Sequence, residues 1–124
     1  MRSRGREARR LVTQLTKKLG RRRVSPDLRA TLNHCAAAYL AGEVSESVAL
    51  LWEAGHLAAR DVYGFEGPRE MLLEIAVLRD ASFAAGLWFI HMLKTGEIEP
   101  TLDDILLALY FLASAEFRDI PPVS

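Results

Sequence analysis

The sequence contains little cysteine: Cys35 is the single one among 124 residues. A lone thiol cannot form a disulfide within its own chain, which excludes the small secreted proteins that depend on a disulfide framework. We therefore expect a reducing compartment and predict a cytoplasmic protein. His34 precedes Cys35, but consecutive helical residues point about 100° apart, so this neighbouring base does not face the thiol. Cys35 is interpreted as a buried, unreactive residue rather than a catalytic nucleophile.

Long apolar runs are also lacking. The two longest apolar stretches without a charged residue are 81–93 and 105–115, and both are shorter than the ~20 residues that a membrane-spanning helix needs. The basic N-terminal region is interrupted by charges throughout, which excludes the continuous apolar segment of a secretory signal. No transmembrane segment is predicted, and the two runs are interpreted as helices buried in a core.

No segment alternates apolar and polar residues in the way that a half-buried strand does. Instead, apolar residues recur at helical spacing, and helix-end signals separate the segments. Ser25 precedes Pro26 at one predicted N-terminus, and Thr101 stands three residues before Asp104 at another, while Gly96 follows a predicted C-terminus. The predicted fold class is all-α: a compact bundle of five or six helices with a basic amphipathic N-terminal helix or arm.

The region 68–95 is the longest predicted helical stretch. It is interpreted either as one helix or as two helices that break near 79–82. Its part after Asp80 is apolar on nearly every face, which is typical of a central helix with neighbours on all sides. Ala81, Ala85 and Gly86 are small enough to let one of those neighbours approach closely.

The charges are unevenly distributed although they cancel overall. Residues 1–30 contain 11 of the 16 Lys and Arg residues and 2 of the 16 Asp and Glu residues, so this part carries +9 and the remainder −9. We predict two parts: a basic N-terminal arm or helix at 1–23 and an acidic helical bundle domain at 24–124. This separation of charge indicates a polyanionic partner, or two parts of the protein that attract each other.

An apolar stripe runs along the basic segment. Its residues are spaced as on one face of a helix and are Ala8, Leu11, Val12, Leu15 and Leu19. Such a stripe needs an apolar surface to cover it. Three surfaces would serve: the body of the same chain, a second copy of the chain, or a membrane, the last in a membrane-binding or targeting role.

The basic segment also provides the predicted binding residues, because arginine and lysine neutralise phosphates and release their counterions whatever the base sequence. The predicted polyanion-binding residues are Arg6, Arg9, Arg10, Lys17, Lys18, Arg21, Arg22 and Arg23. The segment has no aromatic residue and hence no stacking platform for single strands. Nucleic acid is the favoured partner, bound through shape and charge with little sequence readout.

No motif predicts catalytic residues, a cofactor, a small-molecule substrate or a metal. Glu53 and His56 have the E-x-x-H spacing of di-metal helical bundles, but those sites need the motif on two helices plus two further carboxylates, and it occurs once here. The predicted function is that of a small non-enzymatic binding protein whose basic arm contacts a polyanion. The alternative is a protein-interaction module of the inhibitor, immunity or antitoxin kind, whose acidic body binds a protein partner and whose arm mediates oligomerisation.

Overall fold

The computed structural model describes the backbone of residues 2–20, 25–63 and 80–115, and the side chains of residues 5–18, 25–61 and 80–115. The described ranges form five α-helices: α1 (Arg2–Gly20), α2 (Pro26–Leu40), α3 (Val44–Tyr63), α4 (Ala81–Thr95) and α5 (Leu102–Ser114). Every regular element within these ranges is helical. The predicted all-α class is therefore confirmed.

Local sequence signals set several of the helix ends. Ser25 caps α2, because its Oγ accepts a hydrogen bond from the N–H of Leu28 at 3.3 Å, and Pro26 occupies the first helical position. Thr101 and Asp104 form a reciprocal capping box at the start of α5, with Asp in place of the usual Glu or Gln. These helix starts are confirmed as predicted.

The start of α4 decides between the two interpretations of the region 68–95. Asp80 has extended backbone dihedrals (φ −157°, ψ 112°), and its Oδ1 accepts a hydrogen bond from the N–H of Phe83 at 3.1 Å. A new helix therefore begins at residue 81, which excludes one continuous helix over 68–95. Residues 68–79 lie outside the described ranges. Gly96 ends α4 with φ 83°, a left-handed conformation that glycine adopts without a Cβ penalty.

The helices run alternately up and down, with each described helix packed against the next. The contacts that set the register of these pairs are Gly5 with Leu40, Cys35 with Ser47, Trp52 with His91, and Phe89 with Phe111. α1 also packs against α5, and these two helices run parallel because Lys18, near the end of α1, reaches the end of α5. α1 is consequently held between α2 and α5.

A shared apolar core lies where the five helices meet. Its largest fully buried side chains are Phe83, Leu11, Leu28, Leu32, Leu51, Leu87, Ile90, Ile105 and Leu109. Burying an apolar side chain of this size contributes about 1.5–3 kcal/mol. Gly86 allows the close approach that was predicted for it, because a Cβ there would lie 3.2 Å from atoms of both Phe111 and Leu112 in α5.

One face of α4 departs from the prediction. Ala81, Ala85 and Trp88 are exposed, and Trp88 leaves 46% of its surface accessible. The expectation of a helix surrounded on all sides is wrong, because its partners among the described helices, α3 and α5, leave this face to solvent. None of the described helices combines the length and the apolar character needed to cross a membrane.

A polar link joins the start of α2 to the end of α3. Ser25 donates its N–H (2.9 Å) and its Oγ–H (2.8 Å) to Oδ2 of Asp61, and the Asp61 side chain is 9% exposed. Arg60 Nε donates to the other carboxylate oxygen at 2.9 Å. Burial raises the pKa of Asp61, but the hydrogen bonds from Ser25 and Arg60 outweigh this effect and hold the pKa below its usual value.

We predict that Asp61→Asn lowers the free energy of unfolding by about 1–3 kcal/mol at pH 7, because hydrogen bonds to a charged acceptor are weakened or lost. A carboxylate with a lowered pKa stabilises the fold above its unfolded pKa of about 3.9, and the effect disappears as the pH falls through the folded pKa. The difference between the proteins should therefore shrink below about pH 4. Urea unfolding of both proteins at pH 7 and at pH 3 measures this difference in unfolding free energy.

Glu43→Gln is the control for this experiment, because Glu43 is exposed in the turn between α2 and α3. It should leave the unfolding free energy within about 0.5 kcal/mol of the parent at either pH. A loss for Asp61→Asn that is equal at pH 7 and pH 3 would contradict the role given to the Asp61 charge.

Candidate polyanion-binding surface

The two faces of α1 differ in chemistry. On one face Ala8, Leu11, Val12 and Leu15 are 0–5% exposed, because α2 and α5 pack against α1. Leu19, the fifth member of the predicted stripe, lies outside the described side chains. A stripe of this kind could be covered by the body of the same chain, by a second copy or by a membrane. The body of the same chain covers these four residues. A membrane is therefore not required to cover them.

The opposite face of α1 carries exposed bases. At 100° per residue, Arg6, Arg9 and Lys17 project from the side of the helix that faces away from the buried stripe. Thr13 lies between them, and all four residues are exposed. Within the described part of the chain, the ion pairs are Arg10 with Glu7 and Arg60 with Asp61, so no described carboxylate neutralises these three bases. The row extends over about 16 Å along the helix axis.

Arg10 lies at the edge of this face and is partly engaged within α1. Its Nε donates to Oε2 of Glu7 at 3.1 Å and its Nη2 donates to Oε1, while Nη1 donates to Gln14 Oε1 at 3.4 Å. The paired charges raise the pKa of Arg10 and lower the pKa of Glu7, chiefly through these hydrogen bonds. The Arg10 side chain remains 58% exposed, so a ligand can still reach it.

Lys18 has a different position from the other bases. Its Nζ donates to the carbonyl oxygens of Ala113 and Ala115, the latter at 3.1 Å. These groups lie at the C-terminal end of α5, where carbonyls lack intrahelical partners and the helix dipole favours a cation. The structure therefore places Lys18 as a cap between helices rather than on the exposed face. Arg21, Arg22 and Arg23 lie outside the described residues, and their role stays a prediction.

Arg29 is a further exposed base beside this surface and is not one of the predicted polyanion-binding residues. The groove between α1 and α2 is lined by Arg9, Val12, Thr13, Asn33, Ala36, Ala37 and Leu40. Arg29 is exposed and precedes Asn33 by four residues, so it lies on the same side of α2. The antiparallel register of α1 and α2 brings it level with Lys17. In the sequence, the four-residue spacing of Arg29 and Asn33 shows only that the two residues share a side of α2. The position of α1 beside that side was needed to place Arg29 next to the predicted binding residues.

The chemistry of this surface is that of phosphate binding without base stacking. Its charged groups are guanidinium and ammonium ions, which bind phosphate oxygens, and Thr13 and Asn33 add neutral hydrogen-bonding groups. Among the described residues, no aromatic side chain lines the groove between α1 and α2. The exposed aromatic residues Trp88 and Tyr110 lie on α4 and α5.

The other candidate residues have different settings. Among the described residues, no group of three or more His, Cys, Asp or Glu side chains is arranged to hold a metal ion. Glu53 and His56 are among the described residues and do not belong to such a group. Cys35 is buried with no exposed surface, as predicted, and its Sγ lies 3.7 Å from the carbonyl oxygen of Ser47. Burial raises the pKa of the Cys35 thiol to about 12.

We predict that Cys35 reacts with a disulfide reagent at pH 8 more than about 100-fold more slowly in the folded protein than in urea, because folding removes both access and thiolate. Ala37→Cys provides the matched control, since Ala37 is exposed two residues further along the same helix. The variant should show one fast and one slow thiol. Equal rates for the two thiols would contradict the buried assignment.

Neither a protein-family model, nor a curated protein, nor a solved structure matches this chain. The feature of the described residues that points to a function is the row of bases on α1 that packing turns towards solvent.

Proposed function

We propose that this protein binds a polyanion, nucleic acid in the first place, through the outer face of α1, and that it acts by binding rather than by catalysis. One observation carries the proposal: Arg6, Arg9 and Lys17 are exposed, and no carboxylate of the described residues pairs with them. In this proposal residues 1–23 form the basic arm of an acidic bundle domain at 24–124. We assign the activity to the cytoplasm, where a lone thiol such as Cys35 stays reduced.

Double-stranded nucleic acid suits this surface better than a single strand. Packed helices lie 8–10 Å apart, so Arg29 of α2 lies at roughly that distance from the row of bases on α1. This is close to the widths of duplex grooves, about 6 Å and 12 Å, which separate phosphates of the two strands. A single strand would gain its affinity from stacking on aromatic rings, and none of the described residues that line the groove between α1 and α2 is aromatic.

We predict that Arg6→Ala, Arg9→Ala and Lys17→Ala together weaken binding to a DNA duplex and reduce its salt dependence. The plot of log affinity against log salt should become shallower by about 2.7, because each phosphate contact contributes about 0.9 for B-DNA. Arg29→Ala alone should reduce the slope by about 0.9. Fluorescence anisotropy with a labelled duplex between low and physiological salt measures both effects.

Two lysines outside the surface serve as controls. Lys94→Ala removes an exposed base that lies over the ring of Trp52, and Lys18→Ala removes the cap of α5; neither should change the slope. Substitutions are used instead of deletion, since α1 supplies four buried core residues. The proposal is wrong if the parent protein binds neither a DNA nor an RNA duplex at low salt.

The second candidate function is binding of a basic protein by the acidic body. The up-and-down order of the helices places the turn between α2 and α3 at the same end of the bundle as the turn between α4 and α5. Glu43, Glu46, Glu97 and Glu99 are exposed in or beside these two turns. The location of these four carboxylates at one end of the bundle favours a cationic partner there.

We predict that changing these four glutamates together to glutamine abolishes low-salt binding of an oligolysine peptide. Duplex affinity should stay the same or rise, because the negative charge that repels phosphate has been removed. Isothermal titration with each ligand separates the two surfaces. Oligolysine binding that survives the four substitutions would show that this end of the bundle is not the acidic interaction surface.

A further inference from the structure

Two neutral polar side chains line the groove between α1 and α2. They are Thr13 and Asn33, and both are exposed. Two other threonines on these helices, Thr16 and Thr31, donate their hydroxyl hydrogens to main-chain carbonyls four residues earlier, at 2.7 Å and 2.8 Å. Within the described part of the chain, the Thr13 hydroxyl and the Asn33 amide have no such partner. Both groups are therefore free to form hydrogen bonds with a ligand.

The bases of the polyanion-binding surface surround these two groups. At about 1.5 Å per residue, Thr13 stands about 6 Å along the helix axis from both Arg9 and Lys17. Asn33 follows Arg29 by about one turn on the same side of α2. When these bases hold phosphates, Thr13 and Asn33 consequently face the sugars that connect the phosphates.

α1 is part of the bundle surface and not a projecting helix, because α2 and α5 pack against its two flanks. A helix that reads bases enters the major groove of B-DNA, which is about 12 Å wide and about 8.5 Å deep. A single helix with its side chains is already about 10–12 Å across, so α1 with a neighbour on each flank does not fit into that groove. The short side chains of Thr13 and Asn33 therefore stay at the level of the sugars and phosphates.

We propose that the polyanion is an RNA duplex in preference to a DNA duplex, and that Thr13 and Asn33 bind its 2′-hydroxyl groups; this inference rests on the polyanion binding proposed above. A-form RNA displays these hydroxyls in a wide, shallow minor groove, where a surface reaches them without inserting a helix. Each 2′-hydroxyl both donates and accepts a hydrogen bond, which suits a threonine hydroxyl and an asparagine amide. DNA carries hydrogen at this position and offers the two side chains no partner there.

Fluorescence anisotropy with an RNA duplex and a DNA duplex of equal length and corresponding sequence, at the same salt concentration, tests the preference. Two hydrogen bonds of ordinary strength should make the RNA duplex bind at least about fivefold more tightly. Thr13→Val and Asn33→Ala together should remove most of this preference. The salt dependence of RNA binding should stay the same, because the phosphate contacts remain.

Thr31→Val is the matched control for these substitutions. Thr31 lies about 200° around α2 from Asn33, and its hydroxyl is bonded within its own helix. The variant should therefore keep the preference of the parent for RNA. Circular dichroism checks the fold of each variant.

An RNA duplex with 2′-fluoro sugars separates the hydroxyl contact from the shape of the helix, since it keeps the A form but lacks the hydroxyl. We expect the parent to bind it more weakly than RNA, and we expect the double variant to bind it as the parent does. Equal affinity of the parent for the RNA, 2′-fluoro and DNA duplexes, or a preference that the double variant retains in full, would overturn this proposal and leave polyanion binding intact. A parent that binds none of the three duplexes would overturn polyanion binding itself.

Discussion

The burial of four side chains on α1 determines how the rest of the surface is presented. Ala8, Leu11, Val12 and Leu15 enter the core between α2 and α5, and this fixes the rotation of α1 about its own axis. Once that rotation is fixed, the positions of all other described α1 side chains follow at 100° per residue. Turning the helix would bring guanidinium groups into the core, and burial of unpaired charge costs far more than the leucines gain. The outward direction of the bases is thus a consequence of packing.

The same rotation gives chemically similar residues different roles. Arg6, Arg9 and Lys17 lie opposite the core and face water, whereas Arg10 is close enough to Glu7 and Gln14 to form local hydrogen bonds. Lys18 is one residue beyond Lys17, yet it lies beside α5 and binds main-chain carbonyls there. A count of positive charges in a segment therefore overstates the number that a ligand can contact. The angular position of each base decides its role.

Much of the fold was predictable because its signals are local. The caps at Ser25, Asp80 and Thr101 act on backbone groups three residues away, and the stripe of α1 is a property of its own periodicity. What the sequence did not reveal depends on which helices become neighbours. Leu40 is an apolar residue at the end of α2 but is exposed, because its contact with Gly5 of α1 covers only part of its side chain. Trp88 is exposed because α3 and α5 pack against other faces of α4. The roles of Lys18 and Arg29 also depend on tertiary contacts.

The contact between Lys18 and the end of α5 has a consequence for the time course of folding in the cell. The bonded groups of Lys18 and Ala113 are 95 residues apart in the sequence. At 5–20 residues per second, a ribosome takes roughly 5–20 s to synthesise the intervening chain. During that interval the leucines of α1 have α2 on one flank and no cover on the other. The apolar stripe of a newly made α1 therefore stays partly uncovered until α5 has been synthesised.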